Sequence, residues 1–432
     1  MKIVLANWGS RGDIEPCVAV GRELLRRGHD VQMAVPPDQV GFAESAGPAA
    51  VACGPDSQPV MDVVRDYWTC YFDNPWRIRK LTRLRREVNG TIVQCWRDMS
   101  TTLTSLAAGA DLLFTGMNFE GSAANVAELY NIPLATLHYF PLRPNGQLMS
   151  FLPASWGRSA AKVFWWLSWR SMKEVEDAQR RELGLPKAAG SVPRRITERG
   201  SLEIQAYDEV CFPGLVAEWA RWNAQRPFVG TLTMESPTDA DEEVASWIAA
   251  GTPPIYLGFG SMPVGSPAEM LAVIGKVCAQ LGERALVGAG WSDFAGVPHF
   301  DHVKVVGAIN FATIFPACRA VVHHGGAGTT AAGLRAGVPQ LILWTLPDQL
   351  THRGAAVKRL KVGTARRFSA TTEKSLLADL RTILAPQYLT RAREIATRMN
   401  KPAEGVAAAA DCVEDFARLN RVGSVQPHRT TE

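Results

Sequence analysis

The residues best suited to chemistry fall in the segment 323–349. His323-His324-Gly325-Gly326-Ala327-Gly328-Thr329-Thr330 follows the apolar run Ala320-Val321-Val322 and precedes a helix-like stretch. Such a turn offers unpaired amides and the positive end of a helix dipole, which together favour a phosphate. Gly325, Gly326 and Gly328 let backbone approach a ligand closely, while the His324 ring and the Thr329 hydroxyl add donors. One strand later, Asp348 and Gln349 present a carboxylate and an amide, groups that can hydrogen-bond several sugar hydroxyls. Glycines alone would equally serve close helix–strand packing. The two histidines, the threonine and the Pro347-Asp348-Gln349 run favour a ligand.

A second candidate stands near the amino terminus. Ser10-Arg11-Gly12-Asp13 lies where the first strand-like run hands over to a helix. Asp13 there can cap the helix, and its carboxylate can also take a proton from an attacking hydroxyl; the two roles are compatible. No histidine stands beside it in sequence, so a lone carboxylate is the base reading. Asp239-Ala240-Asp241 spells an Asp-x-Asp metal pattern, but it follows Ser236-Pro237-Thr238 at a helix start, where acidic residues suit the dipole. No metal site is expected.

The elements that must position these groups alternate. Strand-like runs at 3–7, 31–35, 111–115, 133–138 and 210–212 are separated by helical stretches at 14–27, 75–106, 120–130 and 159–183. A polar break at 234–241 precedes a second series, with strands at 255–259, 285–287, 303–306, 320–323 and 340–344 and helices at 269–281, 327–336 and 349–360. Alternation of this kind predicts parallel sheets covered on both faces, with ligands at the carboxyl ends of the strands. A length of 432 residues exceeds one compact core. The expected division is a unit at 1–230, a second at 231–403, a helix at 404–420 and a disordered tail at 421–432.

Bulk composition narrows the classes. A net charge of +4 with 20% charged residues lacks the basic excess of a nucleic-acid binder. Eight scattered cysteines show no metal spacing, which suits free thiols in a reducing cytosol. No run approaches the ~20 apolar residues that span a bilayer, and the opening apolar run is too short for a signal peptide. A cytoplasmic chain, peripheral on the inner face of the membrane at most, is expected. The local exception in charge is Arg77-Ile78-Arg79-Lys80-Leu81-Thr82-Arg83-Leu84-Arg85-Arg86. Ile78, Leu81 and Leu84 recur on one face, so the segment is either a solvated helix resting on the core or a dock for an anionic membrane.

The segment 316–349 resembles the signature of family 1 glycosyltransferases of the GT-B fold, and within them the actinobacterial branch with the glycopeptide-antibiotic and glycopeptidolipid enzymes. The similarity extends to Gly9-Ser10-Arg11-Gly12-Asp13-Ile14-Glu15-Pro16, to Ala206-Tyr207-Asp208 and to Gly258-Phe259-Gly260-Ser261. It implies two Rossmann-like domains facing a cleft, with the C-terminal helix returning to the first. By position it assigns Ser261, His324, Gly326, Gly328 and Thr329 to a donor diphosphate, Asp348 and Gln349 to its sugar, and Asp13 to the base. Ser10, Phe119, His138 and Tyr139 fall on the acceptor side, where Trp68, Tyr71, Phe72, Trp76, Trp96 and Phe140 give an aromatic density that either fills a core or greets a greasy acceptor.

The resemblance further implies an inverting, metal-independent transfer with no cofactor. A hexose or rhamnose-like deoxyhexose would move from a dTDP- or UDP-sugar to a hydroxyl of a lipid, lipopeptide or polyketide-like acceptor such as a glycopeptidolipid. A UDP-glucose-dependent sterol or small-aglycone enzyme, a nucleotide-sugar epimerase and a weakly catalytic binding homologue are the competing expectations. Two departures stand out. Val306-Gly307 occupies the place where plant members carry a base-stacking tryptophan. Leu350-Thr351-His352-Arg353 replaces the Pro and aromatic residue that follow Asp-Gln in close relatives.

Overall fold

The computed structural model describes residues 1–148, 153–260, 266–290 and 300–424. Its core is two six-stranded parallel sheets. The first contains β1 (Lys2–Ala6), β2 (Asp30–Val35), β3 (Ala49–Ala52), β4 (Leu112–Gly116), β5 (Leu134–His138) and β6 (Leu202–Gln205), ordered β3-β2-β1-β4-β5-β6. The second contains β7 (Ile255–Gly258), β8 (Ala285–Gly288), β9 (Val303–Val306), β10 (Ala320–His323), β11 (Gln340–Trp344) and β12 (Gly363–Arg367), ordered β12-β11-β10-β7-β8-β9. Counted from its own first strand, each sheet has the doubly wound order 3-2-1-4-5-6. Each therefore reverses direction once, between β1 and β4 and between β7 and β10, and a crevice opens there at the strand carboxyl ends. This is the GT-B architecture that the resemblance implied.

Several elements differ from expectation, among them the strand Ala49–Ala52, which was not expected. The last strand of the first sheet is Leu202–Gln205, whereas residues 210–212 lie in and just after a single turn of 3-10 helix, Glu209–Cys211. Glu203 and Gln205 disguise the strand as polar, yet both are fully buried because Arg143 and the His138 ring pair with them. The edge strand β12 ends in Arg366 and Arg367, charges that an edge tolerates. The helix Ser57–Asp73 precedes the separate helix Ile78–Leu106, with the chain turning between them.

The final helix, Pro402–Ser424, begins earlier and runs further than the expected 404–420, continuing through 421–424 where a tail was expected; residues 425–432 lie outside the description. It returns to the first sheet. Ala409, Ala410, Val413 and Ala417 pack in one buried cluster with Ile3, Leu5, Val20, Leu24 and Met33. Arg27 pairs with Asp411 at 2.6 Å and Glu414 at 2.9 Å. Asp208 pins both chain crossings between the sheets. One carboxylate oxygen accepts from the Thr231 amide at 3.1 Å and hydroxyl at 2.9 Å, and the other accepts from the Asn400 amide at 2.8 Å.

Candidate donor and acceptor site

The first switch point holds Asp13. Ser10 caps the helix Arg11–Arg26, and Asp13, three residues on, turns its carboxylate back to accept from the Ser10 amide at 2.9 Å and hydroxyl at 3.2 Å. The helix starts earlier than expected, so Pro16 sits in its second turn and removes the amide that would have bonded the Gly12 carbonyl. Gly9 is required: its φ is +150°, and a Cβ there would stand 2.4 Å from the Asp13 carboxylate. Behind the loop, Asn7 donates to the Asp13 carbonyl at 2.6 Å and Tyr139 donates to the same oxygen at 2.8 Å. Burial raises the Asp13 carboxyl to about 6; Ser10 opposes that shift, nearby Asp348 adds to it and nearby Arg353 opposes it. Both neighbours belong to the second sheet's loops, so the two halves of the site meet here.

The second switch point forms the anion end. In the β10–β7 register His323 lies opposite Gly258, which sets the loops after both strands side by side. Gly260, at φ +56°, approaches the His324 ring so closely that a Cβ would fall 2.7 Å from its Cε1. His323 accepts from the Gly325 amide through Nδ1 at 3.1 Å, so its Nε2 carries the proton and donates to Gln340 at 2.8 Å. His323 is thus a structural brace. His324 is the half-buried residue facing out. Burial, then His323 and Arg353, push its ring down to about 3, and its buried Nδ1 has no partner among the described residues. The helix Ala327–Arg335 starts at Gly326 without a side-chain cap, which leaves the amides of Ala327, Gly328 and Thr329 open to an anion. Thr330, by contrast, turns its hydroxyl back to the Gly326 carbonyl at 2.7 Å. Ser261 lies outside the described residues.

The segment after β11 is a π-helical turn, Gln349–Gly354. Five-residue spacing stacks Arg353 beside Asp348, and the two pair at 2.9 Å. Gln349 is buried; its Oε1 accepts from the Thr345 amide at 2.8 Å and the Leu346 amide at 3.0 Å, which leaves Nε2 as the unpaired polar end among the described residues. The His352 ring lies 4.2 Å from that of Phe140, and the Arg353 guanidinium stands 5.0 Å from the same ring. The unusual Leu350-Thr351-His352-Arg353 run therefore reaches across to the first sheet. Nothing in sequence periodicity marks that contact; the only signal was the departure from the relatives' pattern.

A cavity of about 270 Å³ opens beside this junction. Trp68, Thr69 and Phe72 of the helix Ser57–Asp73 form one wall, and Phe259, His324 and Phe368 face them. Phe72 meets Trp344 edge-on at 5.4 Å, and Asp73 pairs with Arg367 at 2.9 Å, so the helix bridges to the second sheet.

The remaining acceptor-side candidates divide. His138 is a correction: it is fully buried, 2.6 Å from Glu120 and 3.2 Å from Gln205, within a network that includes Arg143 and Glu203. There burial would raise the Glu120 carboxyl, but Arg143 and His138 outweigh it and hold it at about 2. Tyr139 is buried too, and its hydroxyl is spent on the Asp13 loop. Phe119 is half-buried at the start of the helix Glu120–Leu129, in a left-handed conformation, φ +63°, edge-on to Trp8. Asp241 opens the helix Asp241–Ala249 and accepts from the Thr238 amide at 2.8 Å, the Thr238 hydroxyl at 2.8 Å and the Asn310 amide at 2.8 Å, so the second carboxylate of the Asp-x-Asp pattern ties the turn before the helix to the loop at Asn310.

Residues 276–414 match the family described as the erythromycin biosynthesis protein CIII-like C-terminal domain. An uncharacterized glycosyltransferase of Mycobacterium tuberculosis is 59% identical over 98% of this chain and 100% of its own length. Glycosyltransferase GtfE of Amycolatopsis orientalis is 30% identical over 95% of this chain and 96% of its own. Among solved structures, glycosyltransferase VinC in complex with dTDP superposes with a TM-score of 0.62 at 17% identity, covering 98% of this chain and 100% of that one. Two doubly wound sheets with a phosphate-ready turn at the second switch point define a GT-B protein. The chain belongs to the family 1 glycosyltransferases, in their actinobacterial branch.

Proposed function

We propose that this glycosyltransferase moves a hexose or rhamnose-like deoxyhexose from a dTDP- or UDP-sugar to a hydroxyl of a hydrophobic acceptor, such as a glycopeptidolipid, with inversion and without a metal or other cofactor. The observation that carries the reading is the meeting of Asp13 with Asp348 and Arg353 between the two switch points, beside the open helix end at Ala327. The acceptor oxygen attacks the anomeric carbon while Asp13 takes its proton. The bond from that carbon to the diphosphate oxygen breaks, and the electron pair leaves with the nucleoside diphosphate. The amides of Ala327, Gly328 and Thr329 and the His324 ring meet the growing charge. Asp348 and the Gln349 amide nitrogen hold sugar hydroxyls. The dTDP bound by VinC supports a thymidine donor, and the aromatic wall of Trp68 and Phe72 supports an apolar acceptor.

A second reading, a weakly catalytic nucleotide-sugar binder, draws on the Asp348–Arg353 pair, which occupies one oxygen of the expected sugar contact. Incubation with labelled dTDP- and UDP-sugars, with sterol, lipid and lipopeptide acceptors, separates the two. Transfer that vanishes in Asp13→Asn while donor binding persists supports the transferase. Wild-type rates in that variant remove Asp13 as the base, and binding without turnover favours the second reading.

A further inference from the structure

Of the two readings of the basic segment 77–86, a helix resting on the core would cover Ile78, Leu81 and Leu84, whereas a membrane dock would leave apolar groups of the helix Ile78–Leu106 exposed. Only Leu84 is buried; Leu81 is half-buried and Ile78 is 70% exposed. Trp76, in the turn before it, is also 70% exposed, and Tyr71, one turn further back, is 48% exposed. Arg77, Arg79, Lys80, Arg83, Arg85 and Arg86 are all exposed around these apolar groups. Between Asn74 and Arg86 the sequence has no acidic residue, and the nearby carboxylates are engaged: Glu87 by Arg83 at 3.6 Å, Asp73 by Arg367 at 2.9 Å and Asp66 by Arg65 at 2.9 Å. Exposed aromatic and aliphatic tips ringed by exposed cations match an anionic lipid surface, the apolar groups entering the interface and the cations meeting headgroups.

We infer that the hairpin tip formed by Tyr71, Trp76 and Ile78, with the basic side chains of 77–86, docks the protein on an anionic phospholipid bilayer. The same helix that ends in this tip lines the cavity through Trp68 and Phe72, so a docked molecule presents its acceptor cavity beside the lipid. This deepens the acceptor reading above by naming a bilayer-resident amphiphile, and it rests on that reading only for the acceptor.

The test is flotation of the full chain with vesicles of phosphatidylglycerol and phosphatidylcholine, and with phosphatidylcholine alone, without donor. Binding is expected to the first only, and to weaken as salt rises. Changing Arg79, Lys80, Arg83 and Arg86 to Gln should lower partitioning about fivefold for each charge removed. Trp76→Ser with Ile78→Ser should lower it at least tenfold; because these side chains are exposed, the melting temperature should hold. Equal binding to both vesicle types, or unchanged binding by either variant, overturns the proposal. So does binding that a soluble polyanion, but not the vesicles, sustains. Donor-induced thermal shift is measured in parallel: its loss with vesicle binding intact would count against the transferase reading alone.

Discussion

At the scale of single residues the site is made of groups held away from their ordinary ionisation. His324 is held neutral at pH 7 by burial, so it meets an already ionised diphosphate as a hydrogen-bonding ring and not as a cation. A hydrogen bond to a charged partner contributes about 1.5–3 kcal/mol, so His324→Ala should raise the donor dissociation constant roughly tenfold to a hundredfold. Isothermal titration with dTDP checks this, and an unchanged constant would exclude the ring from the anion site. Asp13, near 6, is ionised at neutral pH yet still basic enough to accept a proton. Transfer should therefore fall on acidification with an apparent pKa near 6. The same shift bears on stability. The folded carboxyl lies above its unfolded value of 3.8, so ionising it costs the folded state, fully above pH 6 and not at all below about pH 4. Asp13→Asn should therefore be more stable than the native chain at pH 8, by about 1–2 kcal/mol after allowance for partial exposure, and the gain should disappear near pH 4. Denaturant titrations at the two pH values measure it.

At the scale of elements, the turn Gln349–Gly354 decides most. An α-helical turn would place Asp348 beside His352; the π turn places it beside Arg353 and lays both later side chains on Phe140. Arg353 lowers the Asp13 carboxyl, so Arg353→Gln should move the acid limb of the rate profile to higher pH and free Asp348 for the donor. A profile that stays in place would mean that Arg353 acts only as packing. How much of this was legible varies by element. The glycine-rich turn and its following helix could be read because anion sites need local amides. The strand Leu202–Gln205 could not, because its polar residues are satisfied only by Arg143 and His138 from distant parts of the chain.

At the scale of the whole molecule, the two sheets are joined through two chain crossings, one at Thr231 and one at Asn400, and Asp208 holds both. Replacing it with Ala leaves the two buried Thr231 donors and the more exposed Asn400 amide without their acceptor, with an expected loss of about 2–3 kcal/mol. Chemical denaturation would register that loss as a lower midpoint; an unchanged midpoint would mean that the crossings are held otherwise. A bound donor should raise the melting temperature through ligand linkage, about 2.7 kcal/mol at a concentration one hundred times its dissociation constant. A screen of dTDP- and UDP-sugars by thermal shift ranks the donors directly. No helix among the described residues is long and apolar enough to cross a membrane.

The sequence by itself determined the doubly wound class, the phosphate-ready turn at 323–330 and the candidacy of Asp13. Each rests on local periodicity, glycine placement or a helix start, and such signals act over a few neighbouring residues. Only the tertiary structure decided which polar residues face the cleft. His138 looked like a site residue and is a member of a buried hydrogen-bond network with Glu120 and Gln205, whereas Arg353 and Phe140, marked in sequence only by a departure from the relatives' pattern and by an aromatic-rich stretch, join the two halves. Burial and long-range pairing set those outcomes, and both are properties of which distant segments the fold brings together.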